Sequence, residues 1–218
     1  YLNDVKAVLK TKKEATITNS ILTELKIHQF LNKYDLCPEI LDYDLIKKRI
    51  FYEYIEFPVE KSKFNKVFLE IFGERLSKLH SLNYKNQGIE TFEEKIEFYR
   101  NILRTSAKID IQESFLLFDK LYKNPTKLVF CHNDLNPMNI FLDKKMQFID
   151  WEYAGLNMPI YEIASIKKSF NFSSDQFKIF LKAYGQDFNY NEIKEFEILV
   201  GCIEKIWQEV TDKQKKVS

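Results

Sequence analysis

A chain of 218 residues that is 45% hydrophobic and 30% charged can bury a substantial core, and its composition excludes a disordered or membranous class. Its 33 basic and 32 acidic residues leave a net charge of +1, no electrostatic ground for nucleic acid as principal partner; no apolar run reaches a membrane span or secretory h-region. Cys37, Cys131 and Cys202 lie far apart in apolar surroundings and read as buried reduced thiols of a cytoplasmic protein, not as a metal cluster or disulfide framework.

The first element is a strand over Val5 to Lys10, behind an Asn3-Asp4 turn signal. Its period of two puts Val8 and Lys10 on one face. Thr16 to Tyr34 carries a helical stripe of Ile17, Ile21, Leu25, His28 and Leu31, with Thr18, Asn19 or Ser20 as cap and Glu24 at its middle. Cys37-Pro38 stops this helix. Glu39 to Tyr43 and Arg49 to Ile55 then read as two strands joined by a charged turn, and Pro58 stiffens the exit from the second.

Helical spacing resumes at Phe64, with Val67, Phe68, Ile71, Phe72, Leu76 and Leu79 on one face and His80 near the end. Phe92 to Leu103 and Phe115 to Tyr122 give two further amphipathic helices. Nothing between Gly88 and Lys127 suggests chemistry, and Asn124-Pro125 closes the region.

The next stretch reads as a strand (Leu128 to Cys131), a polar loop (His132 to Asn139), a run (Ile140 to Leu142), a turn (Asp143 to Lys145) and a second run (Met146 to Ile149) that delivers Asp150. Asp134, Asn139 and Asp150 therefore converge on one spot. A carboxylate that orients an attacking hydroxyl, beside a second carboxylate and an amide oxygen that hold Mg²⁺, is the equipment of phosphoryl transfer. Three helices follow, over Pro159 to Phe170, Ser173 to Tyr184 and Tyr190 to Val210, then a polar tail from Lys213 that is expected to fray. A strand-rich first quarter before a helix-rich remainder fits an α+β fold of two lobes with a cleft between them.

His132-Asn-Asp-Leu-Asn-Pro-Met-Asn139 resembles the H-x-D-x-x-x-x-N catalytic loop of the aminoglycoside phosphotransferase and choline/ethanolamine kinase superfamily, a branch of the protein-kinase-like fold. Phe148-Ile-Asp-Trp-Glu-Tyr-Ala-Gly155 resembles that superfamily's metal-binding segment in its bacterial choline kinase form. The resemblance implies a small antiparallel-sheet lobe over residues 1–57 and a helical lobe over 58–218. It makes Asp134 the catalytic base, gives Asn139 and Asp150 to Mg²⁺, and has His132, with Asn133 and Asn136, brace the loop.

Ala7-Val-Leu-Lys10 resembles the strand carrying the phosphate-binding lysine, so Lys10 would reach the phosphates of ATP and Glu24 would pair with it; Lys6 and Lys12 compete for the role, and a solvated Glu24 is the alternative. Glu53, Tyr54 and Ile55 open the hinge-like segment whose backbone would meet the adenine. Leu76-Ser-Lys-Leu-His-Ser-Leu82 resembles the family's L-x-x-L-H-x-L helix ending, which gives His80 a structural task. The family's glycine-containing hairpin upstream of the lysine strand has no counterpart, Gly73 being the first glycine. The expectation taken is that residues precede Tyr1, since a sheet starting there has an unpaired edge.

For the acceptor, choline kinases build an aromatic cage with nearby negative charge, as a quaternary ammonium requires. Glu152 and Tyr153 match that pattern, and Trp207 fits one tryptophan of the C-terminal pair, with Glu204 in place of the other. Trp207 also suits a core position beside Ile203, Ile206 and Val210. Tyr161-Glu-Ile-Ala-Ser165 resembles the following family helix, with Glu162 for the usual Asp and Ser169 where an acidic residue is expected. The acceptor readings are a choline or ethanolamine kinase, with Glu204 supplying charge toward the amine; a kinase for another hydroxyl compound such as an amino sugar, a sugar or an aminoglycoside; and a non-catalytic kinase-like binder. ATP and a small alcohol are the expected partners, and oligomeric state and ATP against GTP stay open.

Overall fold

The computed structural model describes residues 5–12, 19–56, 64–84, 88–125 and 127–215. The stretches of sequence that place Thr16 to Thr18 in a helix and Pro58 at the hinge exit lie outside them.

Three strands, β1 (Ala7–Thr11), β2 (Ile40–Asp44) and β3 (Arg49–Glu53), form an antiparallel sheet in the order β1-β3-β2. Lys10 stands opposite Ile50, and Val8 opposite Tyr52. Against this sheet lies α1 (Ile21–Asn32), whose cap is Ser20: its hydroxyl accepts from the Thr23 N–H. Ile21, Leu25, Ile50 and Tyr52 make a small core of their own, separate from the larger one below. One sheet face and one helix stripe are sufficient to bury it, which is why so short a segment folds as a lobe.

The remainder is helical: α2 (Lys66–Ser81), α3 (Phe92–Leu103), α4 (Ile109–Leu121), α5 (Pro159–Phe170), α6 (Ser174–Tyr184) and α7 (Tyr190–Lys215). Between α4 and α5 come β4 (Val129–Cys131), the hairpin β5 (Ile140–Leu142) with β6 (Met146–Phe148), and β7 (Gly155–Asn157). Phenylalanine supplies much of the large core; Phe72 lies 5.1 Å from both Phe170 and Phe180, ring to ring. Gly73 lets α2 and α6 approach closely, since a Cβ there would stand 2.5 Å from the Phe180 carbonyl oxygen.

Two expectations need correction. Helix α4 begins at Ile109, not Phe115; its N-cap, Lys108, makes no side-chain capping bond, so the sequence offers no start signal, and the buried stripe already begins at Ile111. Strand β7 was not anticipated. It pairs antiparallel with β4, Cys131 opposite Gly155, and three residues ending in a polar Asn carry too little alternation to be read as a strand.

Candidate functional site

Strand β4 leads into the loop that carries Asp134, and the loop's shape is held by side chains. Asn133 has a left-handed backbone, φ 65°, a conformation asparagine tolerates better than most residues. Its N–H donates to Glu162 Oε1 at 2.6 Å, its amide donates to the Tyr153 carbonyl at 3.0 Å, and its Oδ1 accepts from Asn157 at 2.8 Å. Asn136 caps the following turn by accepting from the Met138 N–H and returns a bond to the Asp134 carbonyl. His132 is fully buried. Its Nε2 donates to the Ile149 carbonyl at 2.7 Å, and its Nδ1 accepts from the Asp134 N–H at 3.3 Å, which fixes the Nε2–H tautomer. The histidine thereby ties the loop to the segment that delivers Asp150.

Glu162 is fully buried on α5 and takes its second hydrogen bond from His80 Nε2, at 2.6 Å. The other ring nitrogen of His80 meets the Tyr184 hydroxyl at 2.8 Å. Among the described residues Nδ1 is the acceptor for that buried O–H, so Nε2 carries the proton given to Glu162. Cys131 lies beside this pair, and His80, Cys131 and Glu162 offer ligand atoms within 4.8 Å of one another. With Nε2 protonated and Glu162 accepting twice, the trio is a brace for the loop that carries Asp134 and not a metal ligand set.

The hairpin β5–β6 brings Asp150 to the same place. The Ile149 N–H donates to the Asn139 carbonyl at 3.0 Å, locking the two polar segments together. Asp150 is left-handed, φ 68°, a turn that re-aims its carboxylate at the cost of about 1 kcal/mol or more. Trp151 is fully buried, its indole N–H on the Phe148 carbonyl, and anchors the turn from beneath. Asn139 donates from its amide to the Asp134 carbonyl at 2.8 Å and to Asp134 Oδ2 at 3.3 Å. That leaves its Oδ1 as the ligand atom. Asn139 Oδ1 and the Asp150 carboxylate offer oxygen donors only, the chemistry Mg²⁺ selects.

Across the cleft, Lys10 Nζ sits 2.5 Å from Glu24 Oε1 and 2.6 Å from Asp150 Oδ1. Burial alone lowers the Lys10 pKa, but the two carboxylates outweigh it and the net shift is upward, so the ammonium is firmly charged. Lys12 also approaches Glu24 and Glu152, at 3.9 and 3.8 Å, while Lys6 lies over the Tyr54 ring. Burial raises the Asp134 pKa against the pull of His132, with Asp150 adding to the rise.

Two cavities are lined by these residues. One, of about 350 Å³, is lined by Val8, Lys10, Glu24, Glu53, Ile55 and Asp150, among others. Tyr54 is not in its wall. Its N–H is taken by the Lys6 carbonyl, and Glu53 and Ile55 line the cavity. The other cavity, of about 530 Å³, has Asp134, Glu152, Tyr153, Glu204 and Trp207 in its wall. Trp207 Nε1 donates to the Tyr153 hydroxyl at 2.9 Å. Glu204 does not stand free toward the cavity: it pairs with Lys168 at 2.5 Å, and its side chain is 60% exposed. Burial also raises the Glu152 pKa, with Asp150 adding to it.

Sequence reasoning missed two contributions. Asn19, a candidate cap, instead crosses the cleft: buried, it donates to the carbonyls of Trp151 and Ala154 at 3.2 and 2.8 Å, and its N–H to that of Glu152 at 2.8 Å. Helix α3, read as devoid of chemistry, lines the second cavity with Phe92, Lys95 and Tyr99. The available signal was Lys95 itself, a charge placed on a stripe whose other members are Phe92, Ile96, Tyr99 and Leu103.

Comparison with known proteins bears on the family and the fold. The family model described as "Phosphotransferase enzyme family" matches residues 2–196. A LicA homolog from Metamycoplasma hominis is 29% identical over 181 residues, 81% of this chain and 72% of that protein. LicA from Haemophilus influenzae is 34% identical over 114 residues, 51% of this chain and 41% of that one. The fold matches the crystal structure of choline kinase LicA from Streptococcus pneumoniae with a TM-score of 0.81 at 21% identity, over 97% of this chain and 80% of that one. The Plasmodium vivax ethanolamine kinase gives 0.74 at 16% identity, over 93% and 68%.

Proposed function

The chain belongs to the phosphotransferase enzyme family, and from that premise we propose that it transfers the γ-phosphoryl group of ATP to the hydroxyl of a small amine-bearing alcohol of the choline or ethanolamine kind. The observation that carries this reading is the partition of the two carboxylates. Asp150 lines one cavity, Asp134 the other, and the His132 and Ile149 hydrogen bonds hold them in one rigid frame.

The nucleotide belongs in the cavity of Val8, Lys10 and Ile55. Apolar Val8, Tyr52 and Ile55 suit a purine face, and Lys10, fixed by Glu24, suits the phosphates. Asn139 and Asp150 would hold Mg²⁺, which supplies charge neutralisation on the phosphate oxygens. The acceptor belongs in the cavity of Tyr153 and Trp207, with its hydroxyl at Asp134. The hydroxyl oxygen forms a bond to the γ-phosphorus as the bridging oxygen leaves with ADP, and the hydroxyl proton passes to Asp134. In a loose transition state most of the gain comes from positioning, which is what the Asn133, Asn136, His132 and Glu162 bonds provide.

The likeness to LicA proteins and to choline and ethanolamine kinases supports an amine alcohol over a sugar. The test is ADP release with Mg-ATP across choline, ethanolamine, an amino sugar and an aminoglycoside. Turnover on an amine alcohol is expected to fall about 10² to 10⁴-fold in Asp134→Asn with the melting temperature unchanged. Near-normal turnover in that variant sinks the base assignment. Turnover confined to the sugars moves the acceptor class, and nucleotide binding without turnover on any acceptor leaves a non-catalytic binder.

A further inference from the structure

The second cavity contains a group that a cage for a quaternary ammonium has no use for. Lys95 is only 7% exposed, yet its Nζ lies 5.5 Å from the centre of the Tyr153 ring. Among the described residues no carboxylate comes within salt-bridge distance of it. Its neighbours along α3, Phe92 one turn before and Tyr99 one turn after, line the same wall, so the lysine is set among aromatic faces and not at the rim. The chain's own amine thus takes the position over Tyr153 that a substrate cation would take by cation–π attraction.

We propose that Lys95 is a specificity-determining residue of the acceptor cavity, turning it away from quaternary-ammonium alcohols and toward alcohols with a primary amine. The proposal rests on the phosphotransferase reading and names the acceptor within it. A trimethylammonium group has no N–H to donate and needs an open aromatic face; here that face is covered and the cover carries like charge. A primary ammonium has three N–H donors. It can give them to Glu152 and, when Lys95 is neutral, to the Lys95 lone pair.

The surroundings bring that neutral form within reach just above neutral pH, while below about 8 the cover is charged. Burial pushes the Lys95 pKa down to about 8; Glu90 and Glu152 oppose the shift and Lys12 adds to it. Tyr99, Tyr153 and Tyr161 face the same space, with hydroxyl pKa values that burial pushes well above the ordinary range. Asp134 and the Lys168-paired Glu204 complete the titratable groups of the wall.

Choline is the decisive probe, because its charge does not change with pH. Calorimetric titration of choline and ethanolamine into the intact protein, Lys95→Met and Lys95→Arg separates the possibilities. We expect Lys95→Met to raise the choline-to-ethanolamine affinity ratio at least tenfold, and Lys95→Arg to leave it low. Choline affinity of the natural protein should rise as pH passes through about 8, and neither variant should show that rise. An unchanged ratio in Lys95→Met, absence of choline binding by it, or a flat pH profile in the natural protein overturns the proposal. Binding that shifts as expected without turnover of either alcohol refutes the phosphotransferase reading while leaving the role of Lys95 standing.

Discussion

Glu162→Gln changes one atom type in a fully buried carboxylate, and the structure says where the cost appears. Two donors converge on Glu162: the Asn133 N–H on Oε1 and the His80 Nε2–H on Oε2, each at 2.6 Å. A glutamine offers one carbonyl and one NH₂, so only one donor keeps its acceptor. The less costly arrangement gives the carbonyl to Asn133, which cannot move, and the NH₂ to His80, which can change tautomer. His80 then carries its proton on Nδ1 and gives it to the Tyr184 oxygen, and the Tyr184 O–H, 2% exposed, loses its acceptor. One buried unsatisfied hydroxyl costs about 1–3 kcal/mol.

The cost is therefore displaced by two residues, and Tyr184→Phe should add less in that background than alone: the singles leave two groups unsatisfied, the Tyr184 O–H and the His80 Nδ1 lone pair, and the double variant leaves one, the His80 Nδ1–H. In urea denaturation we expect Glu162→Gln to lose about 2 kcal/mol, and the double variant Glu162→Gln/Tyr184→Phe to be more stable than the sum of the singles by about 1 kcal/mol or more. Additivity within about 0.5 kcal/mol refutes the tautomer relay. Turnover gives the second readout, since Asn133 keeps its anchor in this arrangement: Glu162→Gln should retain far more activity than Glu162→Ala, which frees the loop and leaves two buried donors unpaired at about 1–3 kcal/mol each.

Gly73→Ala should destabilise by about 2 kcal/mol or more, because its Cβ meets the Phe180 carbonyl oxygen at 2.5 Å and the Ala183 Cβ at 2.7 Å. Gly201→Ala in α7 meets only the flexible end of Lys168 at 3.4 Å and should stabilise by up to about 1 kcal/mol; thermal melts of the pair decide. Asn19→Ala removes two buried amide hydrogen bonds between the lobes, and a loss of about 2 kcal/mol with weakened nucleotide binding is expected by denaturation and titration. His28 is 1% exposed, its ring nitrogens have no hydrogen-bond partner among the described residues, and burial lowers its pKa to about 3. The unfolded chain therefore binds the extra proton between pH 3 and the ordinary histidine value, so stability present above that value is lost as pH falls. His28→Phe should flatten that acid limb by about 1.4 kcal/mol per pH unit, and an unchanged limb removes His28 from the account.

The fold was legible where apolar spacing is regular and punctuated. Helix α3 and α5 occupy the residues their stripes predict, and β5 runs over the predicted Ile140 to Leu142. It was least legible where a role depends on a partner far along the chain. Asn19 reads locally as a cap, because nothing nearby announces the carbonyls of Trp151 and Ala154. Lys95 reads as an ordinary helix lysine until α7 and the Tyr153 turn close over it. Asp134, Asn139 and Asp150 were legible because all three fall within seventeen residues joined by a hairpin, so spacing alone brings them together. The pairing of Glu204 was not legible for the opposite reason: Lys168, its partner, stands on another helix.

The Asn19 bridge also bears on how the chain assembles. Its acceptor at Trp151 lies 132 residues later, and the Lys10–Asp150 pair spans 140. At roughly 5–20 residues per second, synthesis places on the order of ten seconds between the emergence of these donors and that of their acceptors. During that interval β1 and α1 can pair with β3 and share their small core, but the Asn19 amide must stay in water. The earlier segment is thus fastened late. The ribosome, by this geometry, delivers a sheet-bearing lobe that waits for the β5–β6 hairpin, and any delay in forming that hairpin prolongs the exposure of a polar edge meant for the interior.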